Sequence, residues 1–136
     1  MRALFHLALA LFLLCAWASS QQSSSSPRII ELTADKDSRY RQGKKVSPTI
    51  ELSPGEAVIL RTTAIQAKDM DRDGNVHGLA LLDKKSDVVP GWRFYLHPGV
   101  QDLSVAAPKV PGRYRAVCIV ICSADHEGMG FTVLVK

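Results

Sequence analysis

Residues 112–136 read GRYRAVCIVICSADHEGMGFTVLVK, with a strand-like segment at each end and a polar stretch between them. The second segment, 131–135, alternates so that its odd positions form an apolar face, with Thr132 opposite, which is the pattern of a strand with one buried side. The first, 112–117, follows the turn pair Pro111-Gly112. The pattern predicts two strands joined by a loop that contains two cysteines, a histidine and a methionine.

Short upstream segments rich in Val, Ile, Leu and Thr have the same character. Turn-forming residues at 53–55, 73–74, 90–91 and 98–99 separate them, and each is interpreted as a chain reversal. No stretch shows helical periodicity. The sequence therefore predicts an all-β fold, a Greek-key β-sandwich. Its further strands are predicted at 28–32, 49–52, 57–63, 76–82 and 100–106.

The N-terminal residues differ from the rest of the chain. Residues 1–18 combine a basic start, an apolar run and the small-x-small sequence Ala16-Trp17-Ala18, which together are typical of a signal peptide. Residues 19–27 are rich in Ser and Gln and are interpreted as a flexible tether. We expect an exported protein, periplasmic or otherwise extracytoplasmic, whose folded domain is 28–136.

Charge and composition exclude several functions. The chain has 17 basic and 13 acidic residues, and its formal charge of +4 is spread without a basic block, so nucleic acid is not an expected partner. The sequence contains no Ser-His-Asp arrangement, paired carboxylates or phosphate-binding glycine loop. We therefore expect a binding or carrier protein and not an enzyme.

The loop between the last two strands has metal-ligating spacing, Cys-x3-Cys-x3-His-x2-Met, at Cys118, Cys122, His126 and Met129. His77, on a separate predicted strand, offers a second imidazole. Two thiolates, two imidazoles and a thioether are soft and borderline donors of the kind that select copper over hard cations. These residues predict a copper site that exists only in the folded chain.

Other interpretations of the same residues stay open. Cys118 and Cys122 can form a disulfide in an oxidising compartment. With His77 and His126 they also complete a tetrahedral Cys2His2 zinc set, which does not need a methionine. A mononuclear blue-copper site needs only one of the cysteines, Cys122, and leaves Cys118 as a small buried apolar residue.

Residues 118–129 resemble the CuA loop of cytochrome c oxidase subunit II, a loop also present in nitrous oxide reductase. The resemblance extends to 48–82, which resembles the family's strand, Pro-Gly turn and strand before its first ligand histidine, and to 111–114, before the cysteines. It implies a cupredoxin domain that holds two copper ions.

The resemblance also implies a role for each donor. Two thiolates bridge the coppers, one imidazole binds each copper, and a thioether and a backbone carbonyl are weak ligands. The resemblance implies that the bridging thiolates are Cys118 and Cys122 and that the imidazoles are those of His77 and His126. The weak ligands that it implies are the Met129 thioether and the backbone carbonyl of Val120.

Parts of the family pattern are missing. Val120 stands where oxidase subunits usually have a glutamate, Trp92 is the only tryptophan after the signal peptide, and no paired transmembrane helices are present. The resemblance implies a single-electron carrier with a redox partner, a cytochrome or an oxidase. Alternatives are copper storage or delivery during oxidase assembly, with a copper chaperone as partner, or a divergent accessory oxidase subunit. Membrane association is expected only through an uncleaved N-terminus or an oxidase complex.

Two other features are interpreted structurally. The sequence at 69–74, Asp-x-Asp-x-Asp-Gly, matches the opening of a calcium loop, but the twelfth position is Ala80 where such a loop needs a glutamate. We interpret it as a solvated acidic turn that presents His77. His97, before a Pro-Gly pair, is expected to be an exposed turn residue.

Overall fold

The computed structural model describes residues 26–136, so the predicted signal peptide and nearly all of the predicted tether lie outside the described residues. No helix in this range is long and apolar enough to cross a membrane. The range contains ten strands and one short 3-10 helix, His126–Gly128. The strands are β1 (Arg28–Ala34), β2 (Tyr40–Gln42), β3 (Lys45–Val46), β4 (Thr49–Leu52), β5 (Ala57–Ala64), β6 (His77–Leu82), β7 (Val88–Leu96), β8 (Gly99–Ala106), β9 (Gly112–Val117) and β10 (Gly130–Val135).

The strands form two five-stranded sheets that pack as a sandwich. The first has the order β3-β2-β1-β5-β8 and the second the order β4-β10-β9-β6-β7. Both are mixed, since β1 runs parallel to β5 and β4 parallel to β10 while the other pairs are antiparallel. The prediction of an all-β sandwich is confirmed.

The core lies between the sheets and follows from the alternation of the strands. In β5 and β10 every second side chain is buried and the others are partly or fully exposed. Strand β6 lies between β9 and β7, and its first five residues are all buried. The largest fully buried side chains include Trp92, Tyr40, Leu60, Leu79 and Met129.

The prediction that Pro90-Gly91 reverses the chain is wrong. Both residues lie inside β7, a nine-residue strand that the sequence interpretation missed. Proline is tolerated there because β7 is an edge strand with one unpaired side. Gly91 has φ +79°, and the register between β6 and β7 shifts between Ala80 and Leu82, so the pair marks an irregularity within the strand. The short strands β2 and β3 were also missed.

Strand register brings the predicted donors to one end of the sandwich. Ala80 of β6 pairs with Val117 of β9 in an antiparallel ladder, so the residues just before Ala80 lie beside those just after Val117. Gly130 of β10 pairs with the same Val117. The beginning of β6 and the loop 118–129 therefore meet at one edge of the second sheet.

Candidate metal centre

Three donors converge at this end of the sandwich. The ring of His77 and the sulfurs of Cys118 and Cys122 offer ligand atoms that all lie within 4.8 Å of one another, and all three residues are buried. They form the one such group of histidine, cysteine and carboxylate side chains in residues 26–136. A strand and a distant loop thus supply a compact set of one nitrogen and two sulfurs.

The orientation of the His77 ring is fixed by a backbone carbonyl. His77 Nε2 lies 2.8 Å from the Ile65 carbonyl oxygen, which can only accept, so Nε2 carries the proton and donates. Nδ1 is then the bare nitrogen, and it is buried without a hydrogen-bond partner. Among the described residues the only other buried side-chain nitrogen or oxygen atom without a partner is Asn75 Oδ1. A metal ion beside the two sulfurs would satisfy the His77 nitrogen.

Cys118 and Cys122 are free thiols whose sulfurs lie 3.9 Å apart. Their contact shifts the two pKa values in opposite directions. The hydrogen bond with Cys118 lowers the pKa of Cys122 despite burial, and the contact with Ser38 lowers it further. The same sulfur contact, followed by burial, raises the pKa of Cys118. Cys122 is therefore the sulfur that these surroundings favour as a thiolate, the form that binds metals.

The predicted weak ligands lie beside this group. Met129 is fully buried, and its sulfur is 4.0 Å from the Cys122 sulfur. The Val120 carbonyl oxygen is 3.3 Å from the Cys118 sulfur and also accepts the Cys122 amide at 2.8 Å. Both atoms therefore adjoin the sulfur pair.

His126 lies outside this compact group. It is half-buried in the 3-10 helix, and its Nδ1 is 3.1 Å from the Ser123 carbonyl oxygen. Its Nδ1 is therefore engaged with the backbone of its own loop. Of the six predicted ligands, the structure brings five together and leaves the imidazole of His126 apart.

Two residues from the first sheet also reach the site, and the sequence interpretation did not include them. The hydroxyl of Ser38 is 3.6 Å from the Cys122 sulfur, and the Tyr40 hydroxyl donates to the Gly78 carbonyl. Burial, followed by the charges of the two cysteines, raises the pKa of Tyr40 well above its usual value. The sequence at 35–38, Asp-Lys-Asp-Ser, is a recognisable turn, but nothing in it indicates that the turn touches the cysteine loop.

The acidic segment at 69–74 is a turn with its own hydrogen bonds. The Asp71 carboxylate accepts the amides of Asp73 and Asn75 and the side-chain amide of Asn75. These bonds lower the pKa of Asp71, with the Asn75 side chain contributing most. The Asp69 amide donates to the Cys122 carbonyl at 2.9 Å, so the segment contacts the cysteine loop. His97, as predicted, is exposed.

Solved structures of known proteins share this architecture. No protein-family model and no curated protein sequence matches the chain. A chain of a heme-copper terminal oxidase dimer superposes with a TM-score of 0.53 at 19% identity, over 82% of this chain and 66% of the oxidase chain, just under two thirds. Reduced rusticyanin superposes with a TM-score of 0.54 at 16% identity, over 82% of each chain.

Rusticyanin from Thiobacillus ferrooxidans gives the same TM-score of 0.54 at 14% identity, over 82% of this chain and 79% of that one. At these identities the likeness shows the fold alone. The fold is a cupredoxin-like β-sandwich, as the sequence predicted.

Proposed function

We propose that this protein binds copper and transfers single electrons, and that its centre is of the binuclear CuA type. The observation that supports the proposal most directly is the bare, buried Nδ1 of His77 beside two buried free sulfurs. A buried nitrogen without a partner is costly, and a metal ion coordinated by it and by the thiolates removes that cost.

The donor set favours copper. Two thiolates, an imidazole and a thioether are the soft and borderline ligands that copper prefers, whereas calcium and magnesium prefer oxygen. Zinc accepts sulfur and nitrogen but has no need of a thioether, and Met129 is fully buried with its sulfur 4.0 Å from that of Cys122. The likeness to a heme-copper oxidase chain and to the copper protein rusticyanin agrees with this choice.

The chain itself holds these donors in place. The Ile65 carbonyl fixes the His77 tautomer, and the Cys118 amide donates to the Met129 carbonyl at 3.0 Å across the base of the loop. The Asp69 amide holds the Cys122 carbonyl from the other side. Bound copper supplies the chemistry of the centre, the exchange of one electron between its oxidised and reduced states. The bonds on both sides of the loop limit ligand movement during that exchange.

The binuclear form needs His126 as a ligand of the second copper. Its Nδ1 must then leave the Ser123 carbonyl, or its other ring nitrogen must turn toward the cysteines. The deciding experiment is the electron paramagnetic resonance spectrum of the copper-loaded protein together with the copper-to-protein ratio. We expect two coppers per chain and hyperfine splitting from one electron shared by both nuclei. A four-line spectrum with one copper contradicts the binuclear centre, and zinc alone in a copper-replete preparation contradicts copper.

The position of His126 also favours a second candidate function, the delivery or storage of copper. Because His126 is half-buried and lies outside the compact group, copper could enter and leave the site on the side of this loop. Competition with a copper(I) chelator separates the two functions. An electron carrier retains its metal in both oxidation states, whereas a delivery protein releases copper to the chelator at a rate that His126→Ala changes strongly.

The cellular setting is part of the proposal. We infer that the chain works outside the cytoplasm, with 1–18 as its signal peptide, 19–27 as its tether and 28–136 as its copper domain. Its partner is then a redox protein such as a cytochrome or an oxidase, or a copper chaperone if it delivers metal. Co-purification with a haem-copper catalytic subunit would identify it as an accessory oxidase subunit.

A further inference from the structure

Ser38 lies at the candidate metal centre although it belongs to the opposite sheet. It is in the turn between β1 and β2, only 1% exposed, and its hydroxyl oxygen is 3.6 Å from the Cys122 sulfur. The two residues are 84 positions apart in the chain. An O–H group at this distance from a sulfur is within hydrogen-bonding range, so the first sheet supplies one polar contact to the Cys122 sulfur.

The turn that carries Ser38 is held by one carboxylate. Asp35 Oδ1 accepts the amides of Asp37 and Arg39 at 2.9 Å each, and its Oδ2 pairs with the Arg41 guanidinium. The Ser38 amide donates to the Asp35 carbonyl. Within this turn Ser38 has φ +55°, a conformation that is uncommon for a residue other than glycine. A backbone held in this way fixes the direction of the Ser38 side chain toward Cys122.

A chain of hydrogen bonds determines which way the Ser38 proton points. The Asp125 amide can only donate, and it lies 3.1 Å from the Ser123 hydroxyl oxygen. Ser123 and Ser38 hydroxyls are 2.6 Å apart. A metal-bound Cys122 is a thiolate and can only accept. The arrangement that satisfies both ends runs from Asp125 through Ser123 and Ser38 to the Cys122 sulfur, and each donor strengthens the next.

We propose that Ser38 is a positioning residue that donates a hydrogen bond to the Cys122 thiolate and thereby raises the reduction potential of the copper bound there. The inference rests on the proposed function. Hydrogen bonds to a ligating sulfur tune the reduction potential of copper and iron–sulfur centres. A hydrogen bond withdraws electron density from the sulfur, and the oxidised metal loses more from that withdrawal than the reduced one. Removal of this hydrogen bond is therefore predicted to lower the reduction potential.

The test uses Ser38→Gly in the copper-loaded chain. Glycine adopts a positive φ at no steric cost, so the turn keeps its conformation while the small CH2OH side chain, and with it the hydroxyl, is lost. Loss of a hydrogen bond to a charged group predicts that the equilibrium constant for reduction falls by roughly tenfold, which is about 59 mV for one electron. The thiolate-to-copper absorption band should move to longer wavelength, because the sulfur electrons are less strongly held.

Two further variants complete the test. Ser86 is an exposed serine with φ +67° in the turn between β6 and β7, far along the sequence from the site. Ser86→Gly is therefore the matched control and should change neither the reduction potential nor the absorption band. Ser123→Ala interrupts the series of hydrogen bonds from Asp125 but keeps the Ser38 hydroxyl, and it should lower the reduction potential by less than Ser38→Gly does.

The outcomes separate this inference from the function on which it rests. A wild-type chain that takes up no copper overturns both. Wild-type protein that loads copper, with a Ser38→Gly variant of unchanged potential and absorption, overturns the role of Ser38 alone. A folded Ser38→Gly chain that no longer takes up copper also overturns it, because one bond to a single sulfur should tune the site and not create it.

Discussion

The two cysteines of the candidate centre have different surroundings, and their variants should differ accordingly. The Cys122 sulfur contacts the sulfurs of Cys118 and Met129 and the Ser38 hydroxyl, whereas the Cys118 sulfur contacts the Cys122 sulfur and the Val120 carbonyl. We expect Cys122→Ser to abolish the intense thiolate-to-copper absorption. Cys118→Ser should leave a mononuclear site with about half of the copper. Metal analysis and absorption spectra of the loaded variants check this.

Met129→Leu is the companion variant at the same site. A thioether is a weak ligand, so both metals should stay and the reduction potential should shift. Equal loss of metal in the Cys118, Cys122 and Met129 variants would contradict the assigned roles.

Gly78, the residue after the candidate ligand His77, has no room for a side chain. A Cβ added there would lie 2.5 Å from Ile119 Cγ1 and 3.1 Å from Val120 Cγ2, and both belong to the cysteine loop. Gly78→Ala should therefore reduce the free energy of unfolding by about 1–3 kcal/mol, the usual cost of overpacking. Urea denaturation of the metal-free protein measures it. Gly128→Ala is the control, because a Cβ at Gly128 meets nothing within 4 Å; equal costs in the two variants would refute the steric explanation.

Strand β2 connects the two sheets at the end of the sandwich that carries the candidate metal centre. Tyr40 of β2 is fully buried, its hydroxyl donates to the Gly78 carbonyl of β6, and its ring packs edge-on against Phe131 of β10. Tyr40→Phe keeps the ring contact but leaves the carbonyl without this donor. We expect the variant to lose about 1–3 kcal/mol of unfolding free energy. Tyr95→Phe, at a half-exposed position of β7, should change little; a similar loss in both would show that the Gly78 bond contributes nothing.

Most strands could be predicted from sequence because their burial alternates. In β4, β5 and β10 every second residue is buried, and the predicted bounds differ from the observed ones by at most one residue. Strand β7 could not be predicted from local pattern, because Pro90-Gly91 is a turn signal in most contexts. The pair is tolerated inside a strand because β7 lies at the edge of its sheet, and that position is a property of the assembled sheet.

The site was predictable to a similar extent. The spacing of the cysteine loop and an upstream histidine indicated the donors, and the structure brings His77 to the two sulfurs. The contact of Ser38 with the Cys122 sulfur could not be predicted, since it depends on how the β1–β2 turn of one sheet meets the loop of the other. The engagement of His126 with the Ser123 carbonyl likewise depends on the fold of the loop.

The candidate centre belongs to the folded molecule and to no single segment of it. Its nitrogen comes from the first residue of β6 and its sulfurs from the loop after β9. A metal that binds this arrangement and not the unfolded chain stabilises the fold by mass action, by about 2.7 kcal/mol when its free concentration is a hundred times its dissociation constant. Metal binding can stabilise the fold in this way only when the two sulfurs are thiolates.

Thiol oxidation should therefore control copper uptake by the whole protein. The Cys118 and Cys122 sulfurs are 3.9 Å apart, so a movement of roughly 2 Å brings them to the length of a disulfide bond. A disulfide offers copper neither thiolate, whereas bound copper occupies both sulfurs and protects them. We expect metal-free protein left in air to lose copper uptake and the associated rise in unfolding free energy, and to regain both after treatment with a thiol reductant. Protein loaded beforehand should keep its metal through the same exposure. Copper analysis, thiol titration and urea denaturation of the three samples measure this. Full copper uptake by air-oxidised protein in which no free thiols remain would contradict the requirement for the cysteine pair.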